Sequence, residues 1–382
     1  MLYYITYTNI PSKRAFGFAI AKMCASFAEN IPVTLVVPKI YSKEKREDIF
    51  SYYDLPRNFS ILELPNIDLF GTSFIGKYIP FIIKKITFAL ATVFLKIKSK
   101  DVCYSRDLWP LLFIRMKTRN IFLEIHYLSK FDSFSIRFTH FVRKIIVITS
   151  FLKDELITFG YNKDNIYIAP DAVDIDEFDN IKDTKDNLRR RFDLPLNKKI
   201  ILYSGNLFPW KGVYTLTDSL EFIDVKILQD LIIVFVGGTD DVLIPFEKYV
   251  QSKEYRDKVI ITGYKKHNEI AFHLKAADIL VIPNSSKEKI SNYNTSPLKL
   301  FEYMASEVPI IASDVPSIRE IMNNNNCIFS KPDDGSSIAK CITILLSDQR
   351  LADRLSKQAR YDVDKYTWKK RAMNILDFLN IK

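Results

Sequence analysis

Several features that mark particular protein classes are scarce or missing in this chain of 382 residues. Its four cysteines, Cys24, Cys103, Cys327 and Cys341, show no CxxC spacing, so the sequence indicates neither a disulfide framework nor a zinc site. It has no low-complexity tract and no repeat at the short periods of solenoids, which argues against disorder and repeat architectures. The first residues, MLYYITYTNIPSKR, lack the charged-then-apolar order of a secretory signal, so we expect a cytoplasmic protein.

Long apolar runs are also missing from the hydrophobic segment 78–100. Its longest run without a charge, residues 86–95, has ten residues, whereas a membrane-spanning helix needs about 20. Bulky apolar residues alternate with lysines in this segment, and a basic cluster closes it. The pattern is typical of a helix that lies on an anionic membrane surface, and equally of a helix packed on its own domain with lysines reaching solvent.

Acidic residues are scarce in the first part of the chain. Residues 1–170 carry 24 Lys and Arg against 14 Asp and Glu, whereas residues 171–382 carry 31 of each, so the net charge of +10 lies entirely in the first part. This asymmetry predicts an anionic partner: an acidic substrate, a membrane surface or nucleic acid. No nucleic-acid recognition motif or interleaved aromatic platform accompanies the charge, so we expect no nucleic-acid partner.

Strand-like and helix-like patterns alternate along the chain, which predicts parallel α/β sheets. The length suits two domains. We expect the first to comprise residues 1–178, completed by a C-terminal helix in 362–382, and the second to comprise residues 179–361. The polar stretch 174–197 is interpreted as a linker plus a short helix. The predicted fold class is therefore α/β, with two Rossmann-like doubly wound domains that bind ligands in a cleft between them.

Residues 294–320, NTSPLKLFEYMASEVPIIASDVPSIRE, join a predicted helix to a buried strand. We expect Thr295 or Ser296 to cap this helix and Pro297 to lie in its first turn. The amides of Leu298 and Lys299 would then face an anion such as phosphate at the positive end of the helix dipole. The alternative is an ordinary amphipathic helix of an α/β domain.

Further candidates follow the strands of the second domain. Lys211 comes after a strand and a turn at Gly205, where a lysine can bind a diphosphate, although the spacing is not that of a Walker loop. Glu302 can accept hydrogen bonds from a hydroxyl pair such as that of a ribose. Gly237 and Gly263 end two further strands and would let a planar or sugar group approach the backbone. Each candidate taken alone is compatible with a surface or core residue.

Five ordered motifs resemble a known family: S-G-N-x-x-x-W-K-G, F-V-G-G, I-T-G-Y-x-x-H-x-E-I, A-A-D-I-L-V-I-P-N and S-P-L-K-L-F-E-Y-M-A. They look like the nucleotide-binding half of retaining GT-B-type glycosyltransferases of the large family 4 group, which includes bacterial sugar transferases and sucrose and glycogen synthases. The first half resembles the family more thinly, through VITSFLKDEL, IYIAPDAVDIDEF and the histidine of FLEIHYL.

The resemblance implies roles for residues of both domains. It assigns Lys211 to the donor diphosphate, Glu302 to the ribose, the segment 263–267 to the base, and His126 to the transferred sugar, with Lys211, Glu302 and His126 as the catalytic residues. For His126 the alternative is a buried histidine with satisfied nitrogens. The donor-binding residues that it implies are Gly205, Asn206, Lys211, Gly237, Gly263, Tyr264, His267, Asn294, Ser296, Pro297, Leu298, Lys299 and Glu302.

Three departures from the family pattern matter. Asn294 occupies the position of the first residue of the family's acidic pair, and Asn206 that of a frequent arginine, so both changes remove a charge. We expect an altered donor geometry before a loss of activity. The glycine-rich turn after the first strand is missing, and we expect Lys13, Arg14 and Gly17 to contact an anionic acceptor instead.

The resemblance implies an enzyme that moves a sugar from a nucleoside-diphosphate sugar to an acceptor hydroxyl with retention, without metal or cofactor. Asp174 and Asp176 form a D-x-D sequence to which we assign no metal role. The acceptor would be a saccharide or a lipid-linked molecule of bacterial surface polysaccharide or glycolipid synthesis, reached from the inner face of the membrane. The alternatives are a catalytically silent nucleotide-binding protein and a nucleotide-sugar epimerase.

Overall fold

The computed structural model describes residues 1–41, 47–69, 78–128, 136 and 139–381. The chain divides into two compact units, Met1–Pro170 with Trp368–Lys382, and Asp171–Thr367. Residues 171–178, assigned above to the first domain, and residues 362–367, assigned above to its C-terminal helix, are thus counted with the second unit.

The first unit is built on a seven-stranded parallel sheet with the order β3-β2-β1-β4-β5-β6-β7. The order reverses at β1, which pairs with β2 on one side and with β4 on the other. In open α/β sheets such a reversal creates a crevice at the carboxyl ends of the strands. The strands β1 to β7 are, in chain order, Leu2–Ile5, Val33–Pro38, Ser60–Leu64, Val102–Ser105, Ile121–Ile125, Lys144–Val147 and Ile166–Ile168.

The final helix, Trp368–Leu379, is counted with the first unit. It packs against the helix Ala15–Ala28, with the rings of Phe18 and Trp368 meeting edge to face at 6.3 Å. Its buried face contains Trp368, Ile375, Leu376 and Leu379. The other described helices of this unit are Ile49–Tyr53, Tyr78–Ala91, Leu108–Ile114 and Ser150–Thr158.

The second unit repeats the plan with a six-stranded parallel sheet of order β10-β9-β8-β11-β12-β13. Here the reversal falls at β8, between β9 and β11. The strands β8 to β13 are Lys199–Ser204, Leu231–Val236, Val259–Ile261, Ile279–Ile282, Ile310–Ser313 and Ile328–Ser330.

Apolar side chains cover both faces of this second sheet, as parallel sheets require. Ile200 and Leu202 of β8 belong to one hydrophobic core, and Ile201 and Tyr203 belong to another on the opposite face. The helices that cover the sheet are Ile175–Asp179, Lys185–Arg191, Val213–Asp218, Val225–Gln229, Asp240–Gln251, His267–Lys275, Lys289–Asn292, Leu298–Ala305, Pro316–Arg319, Gly335–Ser347 and Gln349–Val363.

The stretch 174–197 is more ordered than predicted. It forms two helices, Ile175–Asp179 and Lys185–Arg191, where the sequence suggested a linker with one short helix. Phe178 and Leu188 are buried in a core of the second unit, which is why this polar segment holds a fixed conformation.

Candidate functional site

The turn that follows β8 is held close to the end of β11. Gly212 has a left-handed backbone with φ +75°, and a Cβ atom there would lie 1.7 Å from the carbonyl oxygen of Pro283. Because glycine alone tolerates this conformation and this contact, the backbone of Lys211 is fixed beside the strand end. The carbonyl of Trp210 accepts hydrogen bonds from the Ser285 amide at 3.0 Å and the Ser291 hydroxyl at 3.2 Å, which ties the turn to the loop after β11.

The ammonium group of Lys211 lies over the Trp210 ring, with Nζ 3.9 Å from the ring centroid. Burial lowers the pKa of Lys211 to about 7. Burial disfavours the charged form of this lysine, and an anion that binds beside it favours the charged form. Lys211 therefore has the chemistry expected of a phosphate ligand.

The helix Leu298–Ala305 lies where a helix was predicted, but its start is one residue later than expected. Pro297 is the capping residue instead of a residue of the first turn, and its side chain makes no capping hydrogen bond. The hydroxyl of Ser296 instead accepts a hydrogen bond from the amide of Asp171 at 3.0 Å. The competing partner from the start of the second unit explains why Ser296 does not bond its own helix.

The side chain of Lys299 is a site feature that sequence reasoning missed, since only its amide was assigned a role. Lys299 is 7% exposed, and its Nζ lies 3.5 Å from the centroid of the Tyr203 ring. No described residue accepts a hydrogen bond from this Nζ. Burial first, and then the charge of Lys211, hold the pKa of Lys299 well below its ordinary value. Two desolvated lysines thus share the carboxyl end of β8.

Two buried asparagines follow β11. Asn294 and Asn284 are 2% and 0% exposed, and neither side-chain amide has a hydrogen-bond partner among the residues described. Asn294 was a predicted site residue, whereas Asn284 closes the A-A-D-I-L-V-I-P-N motif and was not singled out. Buried amides without partners cost free energy, so both side chains are available to bind a polar ligand.

Glu302 faces a histidine that lies between two carboxylates. Nδ1 of His267 is 3.7 Å from Oε1 of Glu302, and its Nε2 is 3.6 Å from Oε2 of Glu177. Burial raises the pKa of Glu302, His267 opposes that rise, and the negative charge of Glu177 adds to it. The sequence indicated Glu302 and His267 but not Glu177, which lies in the segment interpreted as a linker.

The predicted glycines adopt conformations that bring strand ends together. Gly237 has φ +119°, and a Cβ there would lie 2.5 Å from the carbonyl oxygen of Gly205, whose own φ is +126°. The amide of Gly237 donates to the carbonyl of Gly263 at 2.9 Å, and a Cβ on Gly263 would meet no atom within 4 Å. Open space beside Gly263 leaves room for a ligand. Tyr264 follows this glycine directly, and His267 begins the next helix.

The side chain of Asn206 binds backbone amides of the turns after β8 and β9. Its Oδ1 accepts hydrogen bonds from the amide of Leu207 at 2.9 Å and from that of Thr239 at 3.3 Å. Asn206 therefore links the turn after β8 to the turn after β9.

In the first unit, His126 follows β5 and binds a buried carboxylate. Its Nε2 is 2.6 Å from Oε1 of Glu124, which also accepts hydrogen bonds from Arg106 at 3.0 Å and Arg371 at 2.7 Å. The hydroxyl of Tyr104 donates to Oε2 of the same carboxylate. Burial alone would raise the pKa of Glu124, but its charged partners hold it well below the ordinary value. His126 is thus oriented by an ionised group.

The predicted acceptor residues lie around the start of the helix Ala15–Ala28, also in the first unit. Lys13 and Arg14 are exposed. Gly17 is buried, and a Cβ there would lie 2.5 Å from the hydroxyl of Tyr53, so close packing explains this glycine. The structure therefore brings the donor-side residues together in the second unit and leaves His126 and the predicted acceptor residues in the first.

Several known proteins resemble this chain in sequence or in fold. Residues 184–362, just under half of the chain, match the family model described as "Glycosyl transferases group 1". The putative teichuronic acid biosynthesis glycosyltransferase TuaC of Bacillus subtilis is 27% identical over 205 residues, which cover 52% of this chain and 47% of TuaC. The match thus spans about half the length of this and the next curated relatives.

Solved structures match the whole chain. Sucrose-phosphate synthase from Thermosynechococcus elongatus has a TM-score of 0.79 at 17% identity and covers 99% of this chain and 98% of its own. The Anabaena protein Alr3699/HepE in complex with UDP has a TM-score of 0.75 at 12% identity, with 99% of both chains covered. The two parallel sheets and these likenesses confirm the two-domain GT-B fold. Within it, residues 184–362 also carry the sequence pattern of glycosyltransferases.

Proposed function

We propose that the chain is a glycosyltransferase that moves a sugar from a nucleoside-diphosphate sugar to an acceptor hydroxyl, with retention of configuration and without a metal ion. The observation that carries the proposal is the pair of desolvated lysines, the half-buried Lys211 and the buried Lys299, at the point where the strand order of the second sheet reverses. The match of this unit to glycosyltransferases and the UDP bound by the Anabaena neighbour support the same interpretation.

The proposed chemistry is the departure of a nucleoside diphosphate. Negative charge grows on the leaving diphosphate while the sugar becomes oxocarbenium-like, so preorganised positive groups lower the barrier. Lys211 supplies such a group, together with the start of the helix Leu298–Ala305. Glu302 binds the ribose hydroxyls in this scheme, and His126 contacts the transferred sugar.

The membrane surface is the second part of the proposal. The helix Tyr78–Ala91 exposes an apolar stripe of residues three and four positions apart, which therefore lie on one face. Exposed lysines follow it at positions 96, 98 and 100. Among the residues described, no helix is long and apolar enough to cross a bilayer. The exposed residues of the stripe are Ile79, Ile82, Ile86, Leu90 and, just after the helix, Phe94.

An apolar face beside a basic cluster has the chemistry that binds the surface of an anionic bilayer. We therefore propose that the first unit docks on anionic lipid, with a lipid-linked or surface-polysaccharide acceptor. The Bacillus relative is named a putative teichuronic acid biosynthesis glycosyltransferase, and this name supports a lipid-linked or surface-polysaccharide acceptor.

Vesicle sedimentation tests the docking. At low salt the wild type should partition onto anionic vesicles and less onto neutral ones, and added salt should weaken binding. The double variant Ile82→Ser/Ile86→Ser should lose binding, whereas Val225→Ser, at a residue 68% exposed in the second unit, should not. Equal partition of the wild type between neutral and anionic vesicles, or full binding by the double variant, would refute the docking.

The transferase activity is tested by supplying UDP-, GDP-, ADP- and CMP-linked sugars with membrane lipid extracts. One donor should lose its sugar to an acceptor in the extract, with the product keeping the donor's anomeric configuration. Nucleotide binding without any transfer would instead favour the catalytically silent alternative. An altered free sugar nucleotide without an acceptor product would favour the epimerase.

A further inference from the structure

Lys211 and Lys299 form a pair of lysines that, among the residues described, make no ion pair or hydrogen bond through their side chains. The two groups are near enough for Lys211 to lower the pKa of Lys299. The carboxylate of Glu302, on the same helix as Lys299, opposes this shift without overcoming it. The aromatic rings of Trp210 and Tyr203 contact them instead, and a ring face stabilises a cation by less than a carboxylate or phosphate does. Two such cations suit a ligand with at least two negative charges in one place.

Gly205 and Asn206 explain how the second lysine reaches this place from another element. A Cβ at Gly205 would lie 3.1 Å from Nζ of Lys299, so the missing side chain leaves room for the ammonium group at the end of β8. Asn206, the next residue, is neutral, and its Oδ1 is engaged by two backbone amides. The turn therefore offers no cation of its own at this position, and Lys299 provides one from the helix Leu298–Ala305.

We propose that the side chain of Lys299 binds the donor diphosphate together with Lys211, so that the site prefers a nucleoside diphosphate to a monophosphate. This inference rests on the proposed function and assigns it a second phosphate-binding side chain. A diphosphate presents two phosphate groups to the two lysines, whereas a monophosphate leaves one lysine buried and unpaired.

Proton uptake on binding is a further consequence, because burial disfavours the charged form of both lysines. It lowers the pKa of Lys211 to about 7, so that Lys211 loses its charge above about pH 7, and it holds the pKa of Lys299 well below its ordinary value. A bound diphosphate favours the charged lysines and raises their pKa values. Since the terminal phosphate has lost its second proton above a pKa of about 6, affinity should fall between pH 7 and pH 9 because of the lysines.

Titration calorimetry tests this with the nucleoside diphosphate that the wild type binds and with its monophosphate. Buffers of different ionisation enthalpy at one pH report the number of protons taken up. The variant Lys299→Met keeps the length of the side chain and removes its charge, and Lys287→Met removes an exposed lysine of the loop after β11 as a matched control. Lys299→Gln is the second variant, for use if the methionine variant does not fold.

We expect Lys299→Met to weaken binding of the diphosphate at least about tenfold, because a charge-assisted hydrogen bond is lost. Binding of the monophosphate should weaken by a smaller factor. The control should bind as the wild type does. Proton uptake should fall in the Lys299 variant. Wild-type diphosphate affinity in Lys299→Met and Lys299→Gln, or equal losses for both nucleotides, would overturn the inference and leave the proposed function standing. A wild type that binds none of the nucleotides would contradict the proposed function itself.

Discussion

Nε2 of His126 lies 2.6 Å from Oε1 of Glu124, a carboxylate with no exposed surface. The same oxygen accepts a hydrogen bond from Arg371 of the final helix, whose guanidinium also donates to the carbonyls of Ala169 at 3.0 Å and Pro170 at 2.8 Å. One buried carboxylate thus connects the histidine, the C-terminal helix and the last residues before the second unit. Glu124 and its partners hold His126 in place, so substitutions at His126 and at Glu124 test different roles.

We predict that His126→Ala spares nucleotide affinity and reduces sugar transfer at least about tenfold. The reason is that His126 belongs to the first unit, whereas the residues that we propose to bind the nucleotide belong to the second. Binding is measured by calorimetry and transfer by product formation. His140→Ala, which changes an exposed histidine of the same unit, should alter neither. Equal losses of affinity and transfer in His126→Ala would mean that its role is misassigned.

Removing the charge of Glu124 should destabilise the protein far more than removing an exposed charge. Glu124→Gln leaves Arg106 and Arg371 buried beside a neutral group, and breaking such a pair costs about 3–5 kcal/mol. Urea unfolding measures the loss. Arg57→Met breaks an exposed pair with Asp48 and should lower the free energy of unfolding far less, because solvent screens exposed pairs. Similar costs for the two variants would show that the network contributes little.

Gly17→Ala should test whether this glycine is required by packing or by an acceptor. Its new Cβ would meet the Tyr53 hydroxyl, which accepts from the Ser12 amide and donates to the Ser12 carbonyl, so we expect a loss of about 1–3 kcal/mol. In a Tyr53→Phe background the same change should be neutral or stabilising by up to about 1 kcal/mol, since alanine favours helix. Equal costs in both backgrounds, measured by urea unfolding, would refute the packing explanation.

The buried cation at Lys299 should lower the stability of the unliganded protein at pH 7. Because burial depresses the pKa values of Lys211 and Lys299, the native state binds fewer protons than the unfolded state, and stability should rise with pH from about 7 towards 10. Lys299→Met should therefore unfold at a higher urea concentration than the wild type at pH 7. The difference should shrink at pH 9, because the cost of burying the lysine falls as the pH approaches its ordinary pKa in the unfolded chain. A variant that is less stable at both pH values would contradict this.

Much of the fold could be predicted because parallel strands that are buried on both faces leave continuous apolar runs, as in β8, β9 and β11. Strands β3, β4 and β13 were not predicted. β3 exposes most of its residues, and β4 and β13 are short and carry Cys, Tyr or Ser. Such segments lack the apolar run on which the prediction relied.

The site was predicted where it rests on local motifs and missed where it rests on distant contacts. Lys211 and Glu302 follow from their positions after a strand and on a helix. The pairing of Glu124 with Arg371 joins residues 247 positions apart, and a single sequence carries no sign of it. The direction of the Lys299 side chain depends on the space at Gly205, and the failed cap at Ser296 depends on the amide of Asp171.

Thermal unfolding can show whether the second unit binds a nucleoside diphosphate at the carboxyl end of β8. A ligand that binds the folded state raises its melting temperature as ligand concentration increases. When UDP, GDP, ADP and CMP are added separately, we predict that one nucleoside diphosphate raises the melting temperature of the wild type. Lys211→Ala and Glu302→Ala should each need at least about ten times more ligand for the same shift. If no nucleotide shifts the melting temperature, or if both variants keep the full shift, the second unit does not bind a nucleoside diphosphate in the way proposed.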